Sequence, residues 1–284
     1  MGILVALIPA IMWGVNPILV GKIGGKPIQQ QIGTALGATA FAVVLYAILR
    51  PALTPALIWG SIISGALWSV GQLLQYKSYV ILGNAKGFAI STAFNLILNS
   101  LFGVLVFHEW PTSTTKLLGF GGLAVIILGA VLLSYSDKQE QADFKKGIIV
   151  LIIAAVGFTA YSCAPRFVEA SGIEAVLPQS WGMVGGSLLL SLFEPKDIRK
   201  FDSVTFRNMV PGLLWSVANI GMIYANAMNG VAVGFTLSQL AIVVSTFVSL
   251  VIFHEKKSPA ELRHTLIGVA LVVAGCVLIG LTKM

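Results

Sequence analysis

Charge is scarce in this chain and cysteine nearly absent. Charged residues are 10% of its 284 residues and hydrophobic ones 57%, which excludes a soluble globule with a hydrated surface. Cys163 and Cys276 are the only cysteines; both fall in apolar runs and read as small buried side chains rather than a disulfide or metal pair. The Asp residues, Asp137, Asp143, Asp197 and Asp202, all lie in expected loops, and no expected helix has a carboxylate near its centre. His108, His254 and His264 sit at or beyond helix ends. Metal-ligand spacing of His and Cys, a nucleophile elbow and a phosphate loop are all missing. An intramembrane hydrolase would need a buried nucleophile with its base, or two Asp residues. The sequence therefore argues against an enzyme, and no cofactor or metal is expected.

What is plentiful is long apolar runs. A bilayer core needs roughly 20 apolar residues per helix, and such segments read near 3 to 22, 31 to 49, 55 to 75, 85 to 107, 117 to 135, 147 to 166, 175 to 193, 208 to 227, 231 to 253 and 265 to 282. Lys26-Pro27, Arg50-Pro51, Trp110-Pro111, Glu194-Pro195 and Ser258-Pro259 mark breaks between them. Met1 leads directly into an apolar run with no basic region or cleavage pattern, so the first segment reads as a retained helix. The expected fold is an all-α membrane protein of about ten transmembrane helices, with the lipid bilayer as its solvent.

The net charge of +7 does not point to nucleic acid, because its distribution follows the connections. Of the 18 Lys and Arg residues, Arg50, Lys116, Arg166 and Lys283 fall at even-numbered connections or the C-terminal end; the others fall at odd-numbered ones. This is the positive-inside asymmetry. It places the odd connections in the cytoplasm and both termini outside, in a multi-pass cell-membrane protein.

The chain also repeats itself. Gly65-Ala66-Leu67-Trp68-Ser69-Val70 recurs as Gly212-Leu213-Leu214-Trp215-Ser216-Val217, Gly87-Phe88 as Gly234-Phe235, and Phe107-His108-Glu109 as Phe253-His254-Glu255. Residues 1–137 and 147–284 read as five-helix repeats joined by a polar linker, 138–146. An odd helix number per repeat gives the copies opposite orientations, the inverted-repeat plan of many carriers. Gly122 and Gly129, matched by Gly268 and Gly275, suit close helix packing, for which lipid itself offers no hydrophobic drive. Glu109 and Glu255, at helix ends, read as structural acids that meet a neighbouring base or exposed backbone amides.

Polar side chains inside membrane helices are costly unless they meet a partner or a wet cavity. Trp68, Gln72 and Gln75 share one face of the third helix, and Trp215 and Asn219 match the first two in the duplicate. Trp13 and Asn16 share a face of the first helix with Pro9, and Gly14 and Pro17 are able to break that helix locally. Tyr161, with Ser162 and Pro165, occupies the corresponding part of the sixth; Gln179 follows Pro178 early in the seventh, and Gln239 lies mid-helix in the ninth. Each amide both donates and accepts hydrogen bonds to hydroxyls, and indoles cover the apolar face of a sugar ring. No fixed charge is needed, which suits a neutral sugar and not a cationic drug. The alternative use of these amides is bonding across helix interfaces.

Gly24-Gly25-Lys26-Pro27 with Gln30 and Gly33, Gly65-Ala66-Leu67-Trp68 with Gly71-Gln72, Ser91-Thr92-Ala93-Phe94, Leu177-Pro178-Gln179 and Gly234-Phe235-Thr236-Leu237-Ser238-Gln239 together resemble the glucose/ribose porter family of the drug/metabolite transporter superfamily. The resemblance implies a glucose or ribose uptake permease working by alternating access. It leads one to expect Gln after the Ser-Thr-Ala-Phe stretch, where this chain has Asn95, an amide one carbon shorter. It also implies proton symport, for which the best-placed acids are Glu109, Glu169, Glu174 and Glu255. All of these lie near connections, so a facilitated uniporter stays open. So do export of a neutral metabolite or drug and a non-transporting scaffold or sensor.

Overall fold

Proline and small polar side chains set where the helices begin. In a computed structural model describing residues 2–135, 137, 143–168, 172–252 and 257–282, Pro27, Pro55 and Pro259 each open a helix, where a missing N–H costs nothing. Thr54, Thr112, Asp143, Asp202 and Ser258 accept hydrogen bonds from first-turn amides. The helices are α1 (Gly2–Ile23), α2 (Pro27–Leu49), α3 (Pro55–Leu82), α4 (Asn84–Val106), α5 (Ser113–Leu133), α6 (Phe144–Phe167), α7 (Ile173–Ser191), α8 (Ser203–Arg207), α9 (Met209–Asn229), α10 (Val231–Ser238), α11 (Ala241–Phe247) and α12 (Pro259–Leu281), with a π-helical turn at Val248–Ile252.

Among the described residues seven helices, α1 to α6 and α12, are long and apolar enough to cross a membrane. The helices α7 and α9 carry buried Gln179, Ser180 and Ser187, and Asn219 and Asn226. With the α10–α11 segment these complete the ten expected spans.

Three local expectations change. The third helix runs on past residue 75, since no breaker precedes Gly83, which ends α3 and begins α4 at φ 82° and ψ 153°. Gly230 does the same between α9 and α10 at φ 82° and ψ 160°, 147 residues later. Only glycine adopts that region readily. The ninth span is not one helix but breaks at Gln239–Leu240: Thr236 and Ser238 hydroxyls donate to the Ala232 and Phe235 carbonyls, competing with the backbone ladder, and tighter bonds follow from Gln239 to Thr236 and from Ile242 to Gln239. The first helix, in contrast, is continuous through Pro9, Gly14 and Pro17. Gly14 serves close approach instead: a Cβ there would meet the Ala241 carbonyl oxygen at 2.7 Å, so α1 lies against the broken segment.

α3 packs on α6 and α7, and α9, five spans on, packs on α1 and α2; α5 packs on α12, and α4 on both α6 and α10. Gly122 and Gly275, and Gly129 and Gly268, face each other's backbone so closely that any Cβ would lie within 2.8 Å of the opposing carbonyl oxygen. Connections of like parity meet. Gln29, at the first connection, donates to the Arg199 carbonyl and to Asp202 at 2.8 Å each, and the Thr205 amide holds the Asp202 carboxyl below its usual range. Lys77 near the third pairs with Glu194 in the seventh, Asp137 in the fifth with Ser258 in the ninth, and Glu109 in the fourth with Arg166 at the sixth. That is the pattern of spans crossing alternately.

Candidate functional site: a polar cavity among six helices

Two indoles from matching positions of the duplicated motif meet edge to face: Trp68 and Trp215, with centroids 5.1 Å apart and planes at 62°. They line a cavity of about 630 Å³, its open mouth included. α1 supplies Trp13 and Asn16, α3 supplies Trp68, Gln72 and Gln75, α4 supplies Asn95, α6 supplies Tyr161, α9 supplies Trp215, and the break after α10 supplies Gln239. Nine of the eleven residues expected to contact substrate thus share one wall system.

The amides are oriented by their neighbours. Gln72 Nε2 donates to Gln75 Oε1 at 3.0 Å, and Gln75 Nε2 to Ser91 Oγ at 2.7 Å. Asn16 Nδ2 donates to the Pro211 carbonyl at 3.0 Å, and Gln239 Nε2 to Ser238 Oγ at 3.2 Å. Three buried atoms in the wall, the indole nitrogens of Trp13 and Trp68 and Asn95 Oδ1, have no protein partner. A buried donor or acceptor left unmatched costs about 1–3 kcal/mol. A hydroxyl, which both gives and accepts, is able to pair with either kind of group.

Gln179 and Asn219 stand behind the wall, each 0% exposed. The Tyr161 hydroxyl donates to Asn219 Oδ1 at 2.6 Å, Asn219 Nδ2 to Gln179 Oε1, Gln179 Nε2 to Ser64 Oγ at 2.8 Å, and Ser64 Oγ to the Tyr161 carbonyl at 2.9 Å. The circuit starts and ends on Tyr161 and fixes its ring, which packs 5.8 Å from Trp215.

Sequence reasoning missed Tyr76, Tyr79, Phe88, Thr92, Phe158 and Phe235, which also line the cavity. Tyr76 and Tyr79 continue the helical stripe of Trp68, Gln72 and Gln75 and were lost with the early end drawn for that helix. Phe88 and Thr92 precede Asn95 by seven and three residues, a helical spacing that was legible.

No Asp or Glu lines the cavity among the described residues. Glu109 is tied to Arg166 Nη1 at 2.5 Å and accepts from the Val231 and Ala232 amides at 2.8 Å each, a base and exposed amides together. Glu174 lies in the first turn of α7. Glu169 and Glu255 lie outside the described residues.

Residues 4–282 match the family model described as Sugar transport protein. The chain is 43% identical to a Listeria monocytogenes protein named for sugar uptake, over 100% of both chains, and 38% identical to the glucose uptake protein of Bacillus subtilis, over 100% of this chain and 99% of that one. A solved crystal structure superposes with a TM-score of 0.73 at 18% identity, covering 99% of this chain and 98% of that one; this likeness shows the fold.

Proposed function

This chain belongs to the sugar transport protein family, and from that premise we propose that it takes up a neutral monosaccharide, glucose before ribose, across the cell membrane by alternating access. The observation that carries this reading is a cavity that joins amides, indoles and three unpartnered polar atoms with no lining acid among the described residues. Such a wall suits a ring with hydroxyls at its rim and an apolar face, and relatives named for glucose uptake favour the hexose.

Two inverted five-helix repeats, 1–137 and 147–284, give the carrier its plan. The matching helix contacts of α3 and α9, and the paired glycine junctions at Gly83 and Gly230, support the duplication. The Lys/Arg asymmetry puts the odd connections in the cytoplasm. Among the described residues no acid lines the cavity wall, which favours facilitated transport over proton coupling.

Intrinsic fluorescence tests the site, because Trp13, Trp68 and Trp215 all line it. Titrating the detergent-purified protein with glucose is expected to give a saturable change, with ribose binding weaker. A saturable ribose response with none for glucose would reverse the assignment, and no response to either would remove the sugar site.

A further inference from the structure

Beyond the cavity, a buried polar seam runs between α4 and α6. Asn95 and Tyr161 line the cavity; Asn99 lies one turn on from the first, and Ser162 and Arg166 continue from the second. Asn99 Nδ2 donates to the Asn95 carbonyl at 2.8 Å and to Thr159 Oγ1 at 3.3 Å, and the Ser162 hydroxyl donates to Asn99 Oδ1. Asn99 is 1% and Ser162 2% exposed. An apolar pair would seal two helices in lipid as well, so an amide and two hydroxyls leading away from a polar cavity ask for another use.

The seam ends at the Glu109–Arg166 pair. Its carboxylate is also held by the Val231 and Ala232 amides at the start of α10, so one acid ties α6 and α10 to the loop after α4. Arg166 lies 4.1 Å from the Phe107 ring centroid, and Phe102, Phe107 and Phe167 pack against one another around it. The loop itself is strained: His108 and Trp110 have φ of 52° and 59°, left-handed values that non-glycine residues hold only where the surroundings enforce them. The pair is not deeply buried, with the Arg166 side chain 34% and the Glu109 side chain 14% exposed, so both charges can rehydrate on separating.

We propose that the α4–α6 seam is the closed half of the sugar's path, in which Asn99, Thr159 and Ser162 offer passing hydrogen bonds to sugar hydroxyls, and that the Glu109–Arg166 pair, held by the first amides of α10, is the gate that seals it. This rests on the carrier reading above, and it makes Glu109 a gating acid and not a proton site.

The native cysteines report on the gate. Cys163 Sγ lies in the seam, 3.9 Å from Asn99 Oδ1 and 1% exposed. Cys276, 3% exposed on α12 with its thiol toward the Thr236 carbonyl, lies off the path. Purified protein in nanodiscs is treated with a maleimide and both sites are followed by peptide mass spectrometry, without sugar, so a failed gate and a failed sugar reading are told apart. Losing a charge-assisted bond changes an equilibrium by about tenfold or more, so Glu109→Gln and Arg166→Ala should each speed Cys163 labelling by about that factor with Cys276 unchanged. Arg166→Ala keeps the amide bonds on α10, so either variant that remains monodisperse is sufficient. Cys163 labelling at the wild-type rate, or both cysteines rising together as in a loosened fold, would overturn the gate.

Discussion

Asn219→Ala is expected to destabilise the protein by about 2–6 kcal/mol, because it strands two buried groups, the Tyr161 hydroxyl and Gln179 Oε1, at about 1–3 kcal/mol each. Both now bond only through Asn219 among the contacts described, and Tyr161 and Gln179 are 2% and 0% exposed. Thermal unfolding in detergent should show a clear drop in midpoint. Sugar affinity should fall as well, since Tyr161 loses the circuit that sets its ring. Gln72→Ala provides the contrast. Gln72 lines the cavity, so its loss should weaken sugar binding by about twofold to twelvefold, the worth of one neutral hydrogen bond, with the midpoint near that of the wild type. Equal midpoints in the two variants would remove the distinction between wall and support.

The second large effect belongs to the indoles. Trp13 and Trp68 each present a buried N–H with no protein partner, and Phe keeps most of the ring while deleting that donor. Each Trp→Phe change should cost the sugar one hydrogen bond. Trp13 and Trp68 stand on different helices, so the losses should add to about fivefold to 150-fold in the double variant. Folded yield should hold, since Trp68 still meets Trp215 and Trp13 still meets Phe235 as aromatic pairs. If the double variant binds glucose as tightly as the parent, those nitrogens are not sugar contacts.

The contrast between Gln72 and Asn219 also shows what a sequence can reveal. They occupy matching positions of the duplicated helix, and their polarity inside an apolar run marked both as important. Which one faces a cavity depends on what packs behind each helix: α7 brings Gln179 against Asn219, whereas among the described residues the Gln72 amide bonds to Gln75 of its own helix. Periodicity is a property of one helix; partners across the interface are not. The ten spans were legible because lipid demands apolar length, whereas the end of α3 lies at Gly83 and not near residue 75. The break at Gln239 was hidden, since Thr236 and Ser238 interrupt an apolar run only by turning their hydroxyls onto their own backbone. Glu109 was readable as an acid in need of a base or of backbone amides. That it would join Arg166 and α10 at one point required the fold.

The most direct measurement of the central claim is counterflow: the wild-type protein is reconstituted into vesicles loaded with unlabelled glucose, and labelled glucose is added outside, with and without an imposed pH gradient. Labelled sugar should accumulate transiently and to the same extent in both conditions, and the Trp13→Phe, Trp68→Phe double variant should need correspondingly more glucose. Accumulation that appears only with the gradient would replace the uniporter by a proton symporter. Vesicles holding folded protein that exchange no glucose at all would contradict the carrier.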